Sequence, residues 1–268
     1  MTAASDHPLL ATLEQAGLTT VEGAFAYSGG ADLDKPGLGH RRRTLIEIAD
    51  SAGMRHRLFL KRYRCEPLAA RLRRRCTYGG GRSAAAVEFD NIRAVAAAGI
   101  ATMEAVCFGQ QASGRDFDRS FIIVTAVPGE SLERCAEKIL SSGEQTGEEL
   151  AIVLSKLIRD FHAAGFVHRD LYASHIFIHR TDGRLTPYLI DLARVFRPRW
   201  RAFRWRVKDL AQLKSSMPED WIRRHWGRFM AAYGGDCSES EMSRYNRAVD
   251  RKASAILRRE KRKKNSRG

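Results

Sequence analysis

The sequence predicts an α+β fold in two lobes, an antiparallel sheet followed by a mainly helical part. Three observations carry this. Strand-like runs follow one another through the first half, at residues 41–50, 57–63, 103–108 and 121–126. The clearest helical period comes only afterwards: Leu150, Val153, Leu154, Leu157, Ile158 and Phe161 fall at i, i+3, i+4, i+7, i+8 and i+11, one face of a 3.6-residue helix. That helix runs straight into a polar loop, residues 168–175, followed by the strand-like run Ile176-Phe-Ile178.

Taken in order, Leu9, Leu10, Leu13 and Leu18 suggest a short helix, and the stretch from Thr19 to Tyr27 alternates enough to read as a strand. Residues 28–40 are rich in Gly and Asp and read as a loop. Strands at 41–50 and 57–63 then form the start of a meander. Residues 66–81, with Arg71, Arg73, Arg74 and Arg75 before three glycines, read as irregular. Ser83 opens a helix that Gly99 stops, and Glu88 lies near its start. Two more strands lead to Val127-Pro-Gly-Glu-Ser131, where the lobe boundary is placed. The expected organisation is a first lobe at 1–126, a second lobe at 127–250 and a basic tail at 251–268. Thr146-Gly-Glu-Glu149 has capping-box spacing for the long helix, and Gly165 is its C-cap. Further helices are expected from Lys208 and over residues 221–233.

Composition narrows the function. The chain has 268 residues and a formal net charge of +15, which points to anionic partners. Five cysteines, an odd number without a C-x-x-C pair, argue against a disulfide framework or a zinc ribbon and fit a reducing compartment. The N-terminal residues lack the basic start and apolar core of a signal peptide. No apolar run approaches the ~18 residues that a spanning helix needs. A cytoplasmic protein, peripheral on a membrane at most, is expected.

The chemistry lies in two carboxylates on loops. His168-Arg-Asp-Leu171 matches the first four positions of the catalytic-loop pattern H-R-D-L-x-x-x-N, with His175 where Asn is expected. Asp191 follows Asp170 by 21 residues, at the end of the apolar run Tyr188-Leu-Ile190. One carboxylate as a base and one as a metal ligand are the minimum for moving a phosphoryl group, together with a lysine for the nucleotide phosphates. Lys61, after an apolar strand, suits that role, and Glu88 could pair with its ammonium. Each has an ordinary alternative: a snorkelling lysine, a glutamate at a helix start, a satisfied buried histidine at 168, a surface arginine at 169, a turn-capping Asp191. Magnesium prefers oxygen ligands, so His175 is a weaker metal ligand than Asp191. Gly23, Gly29, Gly30, Gly37 and Gly39 supply glycine between the first strands, but no G-x-G-x-x-G appears. No Ala-Pro-Glu follows Asp191, which disfavours a protein acceptor. Arg197, Arg199, Arg201, Arg204 and Arg206 crowd the same stretch, and arginine forks suit an acidic acceptor.

The chain resembles the lipopolysaccharide kinase family, which includes Kdo and inner-core heptose kinases of the WaaP-like group. The resemblance spans roughly residues 40–215. It rests on Phe59-Leu-Lys61-Arg-Tyr63, on Glu88 and the run from Ala98 to Thr102, on Val106-Cys-Phe-Gly109 and Ser120-Phe-Ile-Ile-Val-Thr125. It continues through His168 to Ile178, Ile190-Asp-Leu192 and Arg204-Trp-Arg-Val-Lys-Asp-Leu210. Histidine at 175 is usual in that family. The resemblance implies a bilobal protein-kinase-like fold that uses ATP and Mg2+ to phosphorylate a sugar hydroxyl of the lipid A–core glycolipid, at the cytoplasmic face of the inner membrane. It implies Lys61 and Glu88 at the nucleotide, Asp170 as base with Arg169 and His168 in its loop, Asp191 and His175 at the metal, and Asp209 bracing the loop. Nucleic acid is not expected as a partner. A non-catalytic kinase-fold protein holding nucleic acid or anionic lipid, or a kinase for another small molecule or a protein, are the rival readings.

Overall fold

The computed structural model describes residues 2–4, 6–33, 40–64, 66–113, 116–235 and 237–266. The chain divides into two compact units, Met1–Ala97 with Met103–Ala126, and Ala98–Thr102 with Val127–Gly268.

The first unit is built on one antiparallel sheet. Its strands are β1 (Thr2–Ala4), β2 (Ala31–Asp32), β3 (Arg41–Ala49), β4 (Arg55–Arg64), β5 (Ala105–Ser113) and β6 (Asp116–Thr125), in the order β1-β5-β6-β4-β3-β2. β4 is central, with Lys61 opposite Arg43 on β3 and Ile122 on β6. Period-two alternation along β4 gives it two faces. Leu58 and Leu60 join a core with Leu9, Leu13, Val21, Ala24 and Ile46, beneath α1 (Leu10–Gln15) and α2 (Val21–Ala26). Arg62, on that face, donates to the carbonyl of Tyr27 at 3.0 Å. Lys61 and Tyr63 point the other way, to α4 (Ala84–Ala97).

Two expectations fail here. The stretch 19–27 is not a strand: Thr20 caps α2 by accepting from the Gly23 amide at 3.0 Å. Residues 66–81 are not irregular: Leu68–Tyr78 form α3. Ser83 does cap α4, its hydroxyl accepting from the Ala86 amide at 3.1 Å. Of the glycines noted between the first strands, Gly23 lies in α2, and Gly37 and Gly39 fall outside the described residues.

The second unit is mainly helical. It contains β7 (Glu130–Ser131), α5 (Leu132–Ser141), α6 (Glu144–Ala163), β8 (Ile176–Thr181), β9 (Arg184–Leu189), α7 (Ala202–Ser216), α8 (Glu219–Gly234) and α9 (Glu239–Asn265). α6 begins before Thr146, so the capping-box reading of 146–149 is wrong and Gly143 is the N-cap. Its predicted apolar face is buried at Leu150, Leu154, Leu157, Ile158 and Phe161, with Val153 half-buried, and the helix packs against α8, whose Trp221 and Phe229 are fully buried. Asp182 and Gly183 turn β8 into β9, both at positive φ (51° and 79°), as a two-residue type I′ turn requires. α9 runs unbroken through residue 251 and packs along α7. There Tyr245 meets Phe203 at 4.6 Å between ring centroids, and Lys214 pairs with Asp250 at 2.5 Å. Among the described residues no helix is long and apolar enough to cross a membrane.

Candidate active site

The loop after α6 is fastened before it carries any chemistry. Gly165 takes φ +85°, which ends the helix. Val167 then exchanges two backbone hydrogen bonds with Phe196, at 3.0 and 3.2 Å. The amides of His168 and Arg169 both donate to one carboxylate, Asp209 of α7, at 2.6 and 2.8 Å. Asp209 is fully buried, so two charge-assisted bonds hold the loop onto α7 where water cannot compete. Gln212 and Ser216, one and two turns further along α7, accept from the Leu171 and Ala173 amides at 3.3 and 2.8 Å.

Arg169 sits at φ 71°, a left-handed conformation that is uncommon outside glycine and marks strain held by its surroundings. Its carbonyl accepts from Lys208, and its guanidinium lies 5.4 Å from the ring centroids of both Phe196 and Trp205. Here Arg169 is a loop anchor rather than a surface charge.

His168 is fully buried, and Nε2 donates to the Ile190 carbonyl at 3.0 Å. Burial pushes its pKa below the ordinary imidazole value, so the ring is neutral with its proton on Nε2. The bond ties the His168 loop to the strand end that carries Asp191. His175 stacks on His168 with 5.9 Å between centroids. Its Nδ1 donates to the Asp170 carbonyl at 2.7 Å, which turns Nε2 toward the Asp191 carboxylate, 3.7 Å away. Asp191 itself is left-handed, at φ 57°, a conformation Asp tolerates better than most residues.

The Asp170 carboxylate is partly exposed and accepts two contacts from Arg194 Nη1, at 2.8 and 2.7 Å. Arg194 follows Asp191 on a single turn of 3-10 helix, Leu192–Arg194. The sequence reading did not single it out, although its place three residues after Asp191 is the signal. Asp170, Asp191, His168, Arg169 and His175 are thus gathered in the second unit around two loops.

In the first unit, Lys61 and Glu88 form an ion pair at 2.5 Å, with side chains 5% and 0% exposed. The second Glu88 oxygen accepts from the Tyr63 hydroxyl at 2.7 Å. Lys61 is therefore neither a snorkelling lysine nor is Glu88 a solvated helix start.

The described residues contain no group of three or more His, Cys, Asp or Glu side chains able to hold a metal. One carboxylate with a nearby ring nitrogen still fits magnesium, which keeps waters and shares substrate phosphates instead of demanding an all-protein cage.

A strand-rich unit carrying a buried Lys–Glu pair, followed by a helical unit carrying an H-R-D loop and a second carboxylate, defines the protein-kinase-like class. The structure of WaaP in complex with acyl carrier protein shares this fold at a TM-score of 0.71, with 24% identity over 96% of this chain and 99% of that one. The model of the lipopolysaccharide kinase (Kdo/WaaP) family matches residues 38–233, and the chain belongs to that family. Lipopolysaccharide core heptose(I) kinase WaaP of Pseudomonas aeruginosa is 33% identical over 156 residues, 54% of this chain and 58% of that protein. The Escherichia coli protein of the same name is 33% identical over 154 residues, again 54% of this chain and 58% of its own length. The chain thus aligns with just over half the length of these relatives.

Proposed function

We propose that this chain is a kinase that transfers the γ-phosphoryl group of ATP to a sugar hydroxyl of the lipopolysaccharide inner core, heptose or Kdo. The observation that carries the reading is the Asp209-fastened loop, which presents the Asp170 carboxylate on the same pair of loops as Asp191 and His175. Asp170 accepts the proton of the acceptor hydroxyl. Arg194 holds that carboxylate until the hydroxyl arrives. Lys61, kept in place by Glu88, neutralises nucleotide phosphate. Magnesium, when bound, supplies charge neutralisation along the phosphates. Asp191 is its ligand, and His175 orients the loop and lends a ring nitrogen nearby. His168 and Arg169 are positioning residues. In this reading residues 1–126 serve the nucleotide and the later residues serve the acceptor. The +15 charge favours a peripheral place on an anionic inner-membrane surface, at about 1 kcal/mol per basic residue near the lipid.

The test is ADP release by the purified chain with ATP, Mg2+ and a glycolipid acceptor carrying either heptose and Kdo or Kdo alone. Turnover with one of them supports the reading and names the sugar. No turnover with either overturns it.

A further inference from the structure

The last helix forms a groove with α7 at the edge of the catalytic loop. The groove encloses about 860 Å3. Arg204, Trp205 and Lys208 line it from one stripe of α7, at i, i+1 and i+4, and Arg201 from the residue that caps that helix. Arg251 and Lys252 line it from α9, between Ala248 and Ala255. Those two alanines leave the opening, since a larger side chain one turn before or after the basic pair would fill it. α9 is held there by Val249 and Ala253, which are buried, and by Tyr245, which packs on Phe203.

Four of the five cations in the groove have no carboxylate partner among the described residues, whereas Lys208 feels the carboxylates of Asp170 and Asp209. Among the described residues, Arg201, Arg204, Arg251 and Lys252 make no ion pair with a carboxylate, although Lys214 and Asp250 pair on the same two helices. Five cations around one groove repel each other, and an anion that binds several of them removes that repulsion. Guanidinium forks suit phosphate groups on a sugar, each fork binding two oxygens. One residue links groove and chemistry. Lys208 lines the groove and donates to the Arg169 carbonyl, directly before Asp170.

We propose that this α7–α9 groove binds the phosphate-bearing part of the acceptor saccharide, with Arg251 and Lys252 as specificity residues supplied by a helix outside the family-matched span 38–233. The proposal rests on the reading of the chain as a core-sugar kinase. It gives α9 a role beyond that of a basic tail.

The experiment uses the full chain, a deacylated phosphate-bearing core oligosaccharide and the same oligosaccharide after phosphatase treatment. Binding is measured by isothermal titration without ATP, and KM and kcat are measured by ADP release. The wild type binds the phosphorylated probe at least about tenfold more tightly than the treated one. Arg251→Ala with Lys252→Ala abolishes that preference and raises acceptor KM by a similar factor, with kcat and the KM for ATP unchanged. Ala255→Trp, which blocks the groove and keeps its charge, does the same, whereas Arg258→Ala with Arg259→Ala, further along α9, behaves as wild type. Equal binding of the two probes by wild type, or an undiminished preference in the double variant, overturns the groove assignment even if the kinase turns over. Selective binding without turnover of any sugar keeps the groove and removes the kinase reading. A double variant that loses affinity only for phosphatidylglycerol vesicles assigns these residues to a lipid surface and also overturns the proposal.

Discussion

The two ion pairs of the proposed chemistry, one in each unit, differ most in their exposure. Lys61 and Glu88 are 5% and 0% exposed; Arg194 and Asp170 are 47% and 24% exposed. A buried pair is fixed, because separating it strands a charge in the interior. A half-exposed pair exchanges its partner readily, because water can solvate either member. The difference suits the two tasks: a phosphate-binding ammonium has to be in place before the nucleotide arrives, whereas a base has to release its partner and accept a hydroxyl.

The contrast can be broken, first of all, at Glu88. Glu88→Leu removes the buried carboxylate that accepts from both the Lys61 ammonium and the Tyr63 hydroxyl, and stability falls by about 3–5 kcal/mol in urea unfolding. Lys61→Met combined with Glu88→Leu recovers most of that loss. If Glu88→Leu costs nothing, the first pair is no more fixed than the second. Next in size is the brace: Asp209→Ala removes the acceptor of the buried His168 amide, at about 1–3 kcal/mol, and that of the part-buried Arg169 amide, and lowers kcat with the stability. Arg194→Ala sharpens the comparison from the other side. It changes stability by less than about 1 kcal/mol, while the acceptor kinetics shift because Asp170 loses its partner. A stability loss as large as that of Glu88→Leu removes the distinction.

The smallest effect is the pH dependence of the His168 loop. Burial holds the folded His168 pKa below its ordinary value of 6.5. Below that value the unfolded chain takes up a proton that the folded chain refuses. The His168 contribution is therefore complete above pH 6.5 and is lost as pH falls toward the folded pKa. Urea midpoints at pH 7.5 and 5.5 fall less steeply for His168→Asn than for wild type. Equal slopes contradict the assignment of a neutral, buried ring.

What was legible in the sequence followed from how locally each feature is encoded. The α6 stripe and the strands β3 and β4 show their periods over nine or more residues. The H-R-D loop and Asp191 carry their own signatures. α2 has six residues with Gly23 in the middle, too short to show a helical period, and Gly lowers helix propensity. α3 misled for a physical reason: its Leu68 and Leu72 are 76% and 65% exposed while Arg74 is buried against Glu66 and the Arg82 carbonyl. An apolar stripe cannot announce a helix whose apolar residues face water. The capping-box pattern at Thr146 was local chemistry without effect, since the helix had already begun at Glu144. The Asp182-Gly183 hairpin was readable and was passed over. The α7–α9 groove was not readable, because Lys208 and Arg251 meet only through the packing of two helices on either side of α8.

The central claim is that Asp170 is the base of a phosphoryl transfer to a sugar. It is tested most directly by following radiolabel from γ-labelled ATP into the core glycolipid with wild type and Asp170→Asn. The account predicts labelled acceptor with wild type and a rate lower by about 10²–10⁴ with the variant, at unchanged stability. Equal incorporation by both proteins contradicts it.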